Sequence, residues 1–233
     1  MFRALFVKEL RESWWLGLLP LAMMLYYSAV ETEFGRVSGI GFGFRHVSHP
    51  ERYHEMPFGT MALARSALLW GSLLACGLGL WQTFRESQSR TWHFLFYRPV
   101  DRFTILWAKV SAAAVVYTLA ILIPVLAVCL WAATPGTHAS PFRWLLTYPA
   151  WYAVAAGPVF YLAALFAGMR RGHLLGTRWW PLIGVTASFG SIGSSFLPTW
   201  RMDLQIVVWA ALLLGGALLV APVRDELHSA DFS

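Results

Sequence analysis

The sequence predicts an all-α integral membrane protein, a single transmembrane domain over residues 1–233 with six spans. Of the 233 residues, 58% are hydrophobic and only 13% are charged, whereas an average soluble domain carries roughly 25% charged residues. A soluble protein of this size has too little interior to bury that much apolar surface. Six apolar runs approach the length of about 20 residues that a bilayer-crossing helix needs. The predicted spans are 14–32, 61–83, 104–132, 147–169, 179–198 and 203–222.

These spans are predicted to be helices because backbone groups in lipid must form hydrogen bonds within the protein, and no run shows the alternating pattern of a membrane β-strand. The first run follows a basic start, as the apolar region of a signal peptide would. No clear A-x-A cleavage site follows it, and five more apolar runs do. We therefore expect residues 14–32 to be a retained first span.

Residues 1–12 predict a separate amphipathic helix ahead of the first span. Its apolar positions recur at helical spacing and its charged positions fall between them: Phe2, Leu5, Phe6 and Leu10 against Arg3, Lys8, Glu9, Arg11 and Glu12. A helix with two such faces is expected to lie in the cytoplasmic membrane interface. The alternative is a frayed basic start that only sets the orientation of the chain.

The distribution of Lys and Arg predicts that both termini are cytoplasmic. With the N-terminus inside, the cytoplasmic pieces carry twelve of the 18 basic residues and the outer pieces carry six. Short cytoplasmic loops of membrane proteins are enriched in Lys and Arg. The net charge of +6 is thus explained by topology and not by binding of nucleic acid. The expected location is the bacterial cytoplasmic (inner) membrane.

The longest predicted connection, roughly residues 33–60, holds the weak metal candidates His46, His49 and His54. Imidazole ligands suit zinc or copper. Nothing in the sequence fixes the geometry of these side chains, so a solvated outer loop is the default interpretation and no metal is predicted.

The fifth apolar run is unusually rich in small residues, with the stretch "GVTASFGSIGSSFLP" at 184–198. Small residues allow membrane helices to pack closely. They also occur where a helix breaks or re-enters the membrane under cover of other protein. Close packing is the favoured interpretation, and a broken or re-entrant helix is the alternative.

Motifs for catalysis or nucleotide binding are missing from the sequence. It contains no G-x-x-x-x-G-K-[ST] phosphate loop, no G-x-S-x-G nucleophile elbow and no H-E-x-x-H zinc motif. The spans also carry few ionisable groups, and no convergent set of polar residues within them is evident. The chain is therefore predicted to be neither an enzyme nor a holder of its own cofactor.

The connection between the second and third spans has a different composition from its apolar flanks: "WQTFRESQSRTWHFLFYRPVDRFTILWAKV", residues 81–110. Residues 91–97 predict a short helix with aromatic and leucine side chains on one side. Pro99 is expected to end it, because proline disfavours helix at the residue before it. Asp101 is placed to cap the next helix, and Lys109 follows one or two turns later.

This order of residues resembles the corresponding segment of ABC-2 type transporter permeases. In that family an acidic residue precedes "G-T" and a leucine-rich stretch, followed by "P-[VI]-S-R" and "G-K". The positions that match are Glu86, Thr91, Leu95, Pro99, Val100, Arg102 and Lys109. The sequence departs from the pattern at Arg90 and Ala108, where the family has glycine, and at Asp101, where it has serine. The general layout, an interfacial helix followed by six spans with both termini inside, is also similar.

The resemblance implies that the short helix is a coupling helix that docks on a separate ATPase subunit. The coupling residues that it implies are Glu86, Arg90, Thr91, Trp92, Leu95, Phe96, Arg98, Pro99, Val100, Asp101, Arg102 and Lys109. It further implies a dimer with a second copy or a similar permease, a transport path with export as the expected direction, and ATP with Mg²⁺ bound by the ATPase partner.

Three alternatives remain at this point. The segment 91–103 could be an ordinary cytoplasmic loop whose amphipathic helix rests on membrane lipid. The chain could be a structural or assembly subunit of another membrane complex. An intramembrane enzyme is the third, and it would need convergent polar residues within the spans.

Overall fold

A computed structural model describes residues 2–31, 62–88, 102–134, 144–169 and 182–186. The helices are α1 Phe2–Ser13, α2 Leu18–Glu31, α3 Ala62–Gln88, α4 Arg102–Tyr117, α5 Ile123–Ala133 and α6 Tyr148–Met169. Short 3₁₀ turns at Trp14–Gly17 and Trp144–Thr147 precede α2 and α6, and a π-helical turn at Thr118–Leu122 joins α4 to α5. No strand occurs in these ranges, which confirms the prediction of an all-α fold.

Within the described ranges, three helical stretches are long and apolar enough to cross a membrane: Leu63–Arg85, Phe103–Ala133 and Tyr148–Met169. They correspond to the predicted second, third and fourth spans. The first predicted span holds α2, whose 14 residues reach about 21 Å, less than the roughly 30 Å of a bilayer core. The fifth predicted span is described only at 182–186, and the sixth lies outside the described residues, so a total of six spans stays a prediction.

The predicted third span is not a uniform α-helix, because the π-helical turn interrupts it. Pro124 lies in the first turn of α5, immediately after the π-helical turn. Pro124 has no backbone N–H to donate to the carbonyl of Ala120, four residues earlier. Its ring would also collide with that carbonyl in a regular α-helix. The π-helical turn Thr118–Leu122 includes Ala120, so the helix departs from regular α geometry where that conflict would arise.

Helices α3 and α6 form the most extensive contact between described elements, and they approach closely at glycines. A Cβ added to Gly79 would lie 2.8 Å from the Cβ of Ala164 and 2.8 Å from the carbonyl oxygen of Tyr161. A Cβ at Gly168 would overlap the side chain of Thr83. Small residues let membrane helices pack backbone against backbone, and here they do so between the second and fourth predicted spans.

Tyr117 connects the third predicted span to both of these helices. Its hydroxyl donates a hydrogen bond of 2.9 Å to the carbonyl oxygen of Val154. Pro158, inside α6, has no N–H to donate to that carbonyl four residues earlier. The tyrosine therefore supplies the donor that the proline removes, which matters in lipid because an unpaired carbonyl is costly there. A Cβ at Gly157 would overlap the Tyr117 ring, so the glycine makes room for it.

Candidate functional site

A set of polar side chains from four helices meets in the protein interior, and we call it the polar cluster: Glu9 of α1, Gln82 of α3, Lys109 of α4 and Tyr161 of α6. Each of the four helices supplies one member from the side that packs against its neighbours. Glu9, Gln82 and Lys109 are among the buried polar residues of the described chain, and Tyr161 belongs to the apolar core around them.

The centre of the polar cluster is an ion pair between Lys109 and Glu9. The Lys109 ammonium nitrogen lies 3.3 Å from Glu9 Oε1, and the two residues are 3% and 5% exposed. Lys8, whose side chain is 38% exposed, places its ammonium 3.9 Å from the same oxygen. Moving two charges out of water costs several kcal/mol each, and only close pairing with additional hydrogen bonds offsets this.

Gln82 supplies those additional bonds and links the pair to α6. Its side-chain nitrogen donates to the backbone carbonyl of Lys109 at 3.3 Å, while the Lys109 ammonium donates to the Gln82 carbonyl at 3.5 Å. The Tyr161 hydroxyl donates to Gln82 Oε1 at 2.8 Å. Helices α3 and α4 are thus joined in both directions, and α6 is attached through the same glutamine.

A second group of contacts holds the end of α1 against α3, at the edge of the polar cluster. Arg85 Nε lies 3.5 Å from Glu12 Oε2. The indole N–H groups of Trp15 and Trp81 both donate to the backbone carbonyl of Glu12, at 3.0 and 3.3 Å. The two indole rings meet edge to face, with centroids 5.2 Å apart. Glu12, Trp81 and Arg85 also line a small cleft that opens beside Glu9 and Ser13.

The polar cluster lies close to both ends of the segment that the sequence singled out. Helix α3 ends at Gln88 and α4 begins at Arg102, so residues 89–101 connect the two. Gln82 is six residues before the first of these ends and Lys109 is seven residues after the second. At 1.5 Å per helical residue, each lies about 10 Å from its helix end. The two helices that flank the segment are therefore fastened to each other and to α1.

The structure places three of the predicted coupling residues in described helices. Glu86 lies in the last turn of α3, and Arg102 is the first residue of α4. Lys109 lies inside the protein with its ammonium 3.3 Å from Glu9 Oε1. The other predicted coupling residues lie outside the described residues: Arg90, Thr91, Trp92, Leu95, Phe96, Arg98, Pro99, Val100 and Asp101.

The histidine candidates for a metal site, His46, His49 and His54, also lie outside the described residues. Within the part of the chain that the structure describes, no group of three or more His, Cys, Asp or Glu side chains could hold a metal ion. The interpretation of residues 33–60 as a solvated loop without a metal ion therefore stays a prediction from the sequence.

Three members of the polar cluster were not predicted from the sequence: Glu9, Gln82 and Tyr161. Glu9 was expected on the charged face of the N-terminal helix, whereas the structure buries it against Lys109 of α4. No convergent polar residues were expected in the spans, whereas Gln82, Lys109 and Tyr161 converge. The available signal was Lys109 itself, because a lysine in an apolar helix requires a partner. Which partner it has depends on the packing of helices distant in sequence.

Comparisons with known proteins add no relative whose site could be set beside this one. No protein-family model matches the chain, and neither the curated proteins nor the solved structures give a match.

Proposed function

We propose that this chain is the membrane permease subunit of an ABC-2 type transporter. Two such chains, or one with a similar permease, would form the substrate path, with export as the expected direction. A separate ATPase subunit would bind and hydrolyse ATP with Mg²⁺. The bacterial cytoplasmic membrane, with both termini inside, is the proposed location.

The observation that carries this proposal is the residue pattern from Glu86 to Lys109 between two apolar helices. It combines aromatic and apolar residues with charges, the composition from which protein interfaces draw their binding anchors. The absence of a phosphate loop fits a chain whose energy source is a partner.

The polar cluster supports the proposal because it joins the two helices that flank residues 89–101. A coupling element transmits motion only if the helices at its two ends move together. Gln82 and Lys109 bond α3 to α4 in both directions, and Glu9 adds α1 to the same unit. In our proposal, a displacement of residues 89–101 by the ATPase moves these three helices as one body, and Tyr161 passes the displacement to α6.

The arrangement of the polar cluster favours this mechanical role over catalysis. Its charged and hydrogen-bonding groups are directed at one another, and Lys109 and Glu9 are almost completely buried. A catalytic set would have to present such groups to a substrate.

The test is co-purification with an ABC ATPase. The full chain, carrying an affinity tag, is expressed with the ABC ATPase encoded nearest to its gene and is then purified in detergent. We expect the ATPase to be retained, and we expect its ATP hydrolysis rate to change in the complex. The purified chain alone should hydrolyse no ATP, because it lacks a phosphate loop.

Two results would contradict the proposal. One is ATP hydrolysis by the rigorously pure chain. The other is retention of other membrane subunits with no ATPase, which would identify the chain as a structural or assembly subunit.

A further inference from the structure

The charges of α1 are separated by sign in a way that the sequence does not reveal. The helix carries two acidic residues and three basic ones. Both acids turn toward other helices: Glu9 is buried against Lys109, and Glu12, with a side chain 20% exposed, pairs with Arg85. Arg3 and Arg11 are exposed. The charge that α1 presents outward is therefore basic, although its composition is nearly balanced.

Four of the exposed residues of α1 and the following turn form a continuous stripe, which we call the outer stripe: Arg3, Val7, Arg11 and Trp14. Spacings of four, four and three residues place them along one side of a helix. Val7 is 52% exposed and Trp14 is 54% exposed. Within the described residues, neither Arg3 nor Arg11 has a carboxylate within ion-pairing distance. Their charges are thus open to an anion from outside.

The position of the outer stripe is that of a membrane surface. It ends at Trp14, where the apolar run of α2 is about to begin. Trp15 and Trp81 lie beside it, 45% and 36% exposed, and tryptophan is enriched at the level of lipid headgroups. Arg11 is less than one helical turn from Trp14, and Arg3 lies about 12 Å further along the axis.

We propose that the outer stripe binds the headgroups of anionic phospholipids. The two guanidinium groups would pair with headgroup phosphates, while Val7 and Trp14 would rest on the boundary between headgroups and acyl chains. Charge complementarity carries this choice of occupant, because a basic surface at headgroup depth faces a net negative charge only where anionic lipid is present. The proposal does not depend on the chain being a transport subunit.

Native mass spectrometry of the full chain in detergent tests the proposal. The probes are phosphatidylglycerol, which is anionic, and phosphatidylcholine, which is zwitterionic, at equal concentrations. We expect the unmodified chain to retain phosphatidylglycerol preferentially. A basic residue near an anionic surface contributes about 1 kcal/mol, so Arg11→Gln should weaken phosphatidylglycerol binding about fivefold. Arg3→Gln combined with Arg11→Gln should weaken it further, and Arg11→Lys should retain most of it.

The matched control is Arg65→Gln, which removes another exposed arginine from a position twenty residues before Arg85 on α3. That distance is about 30 Å along the helix. The control should leave lipid preference unchanged, and thermal unfolding in detergent should confirm that all variants remain folded. Equal binding of the two lipids by the unmodified chain would overturn the proposal and leave a protein as the occupant of the stripe. Equal losses in the Arg11→Gln and Arg65→Gln variants would also overturn it.

Discussion

Lys109 is the residue around which the described part of this protein is organised. An ammonium group in an apolar helix is costly unless it is paired, and here it meets the Glu9 carboxylate and the Gln82 carbonyl. Lys109 is one of the 16 residues of α4, and most of the others are apolar. The pair therefore ties α1 to α4 strongly, because separating it would leave two charges in a poorly solvated interior.

The first prediction concerns this ion pair. Lys109→Met leaves the Glu9 carboxylate buried with only the more distant Lys8 ammonium nearby. Removal of one partner from a buried pair typically costs about 3–5 kcal/mol. We expect a loss of stability of that order, measured by unfolding of the purified chain in detergent.

The double variant Glu9→Met with Lys109→Met is the control for that measurement. It removes both charges and replaces them with apolar side chains, which is often close to neutral. We therefore expect it to regain most of the lost stability. A double variant as unstable as Lys109→Met alone would show that the pair does not couple the two helices.

The second prediction concerns the hydrogen bond from Tyr117 to Val154. Tyr117→Phe leaves the Val154 carbonyl without its 2.9 Å donor, and Pro158 cannot replace it. An unsatisfied buried acceptor costs about 1–3 kcal/mol, which unfolding in detergent should detect. In a Pro158→Ala background the helix regains an N–H for that carbonyl, so Tyr117→Phe should cost less. Equal costs in the two backgrounds would show that the tyrosine does not compensate for the proline.

At the scale of elements, the described helices show how a short N-terminal helix becomes part of a membrane core. Helix α1 packs along α4 and turns through Trp14–Gly17 into α2. Gly17 allows this approach, because a Cβ there would lie 2.8 Å from a methyl carbon of Val116. The connection between α3 and α4 is thus flanked by helices that α1 holds together.

The third prediction tests that segment and rests on the proposed function. If residues 91–103 dock on an ATPase, a few aromatic anchors should carry most of the binding energy. Trp92→Ala combined with Phe96→Ala should then cost about 2 kcal/mol or more. Pull-down of the ATPase by the double variant, at matched membrane levels, should recover much less than pull-down by the unmodified chain.

Trp107→Ala is the control for the loss of an aromatic side chain outside residues 91–103. Trp107 belongs to α4 and not to the segment 91–103 that ends where this helix begins its first turns, and it is 62% exposed. It should leave ATPase recovery unchanged. Recovery of the ATPase by the Trp92 and Phe96 double variant at the unmodified level would contradict the coupling-helix assignment and favour a helix that rests on lipid.

At the scale of the whole molecule, three apolar helices indicate a membrane-embedded protein, and polar side chains of four described helices meet in one layer. Glu9, Gln82, Lys109 and Tyr161 lie in that layer, and the rest of the described core is formed mainly by apolar and small side chains. A layer of this kind fastens the helices at one level. Elsewhere the described helices are joined mainly by apolar packing, together with the hydrogen bond from Tyr117 to the Val154 carbonyl.

The fourth prediction is the topology of the chain. Twelve basic residues on the expected cytoplasmic side against six on the other predict that both termini lie inside. One predicted span precedes His54 and four precede Arg171. Reporter fusions after these two residues should therefore report opposite sides of the membrane. Two fusions reporting the same side would contradict six spans with both termini inside.

The sequence by itself determined the helical membrane character of this protein and the positions of its second, third and fourth predicted spans. These features follow from local composition, because the length and hydrophobicity of a run decide whether it can cross a bilayer. The π-helical turn was not predicted, although Pro124, which lies two residues after it, is visible in the sequence. The coupling segment, the outer-loop histidines and the last span stay at the level of sequence predictions, since they lie outside the described residues.

Only the tertiary structure decided which polar residues meet. Periodicity shows that Glu9 shares a helix with apolar residues, but it cannot show that Lys109, one hundred residues later, faces it. Likewise, the sequence predicted close packing at the small residues of the fifth span. The close packing in the described residues is instead between α3 and α6, at Gly79 and Gly168. The physical reason is that a helix face is set by residues three or four apart, whereas its partner is set by how the helices pack in space.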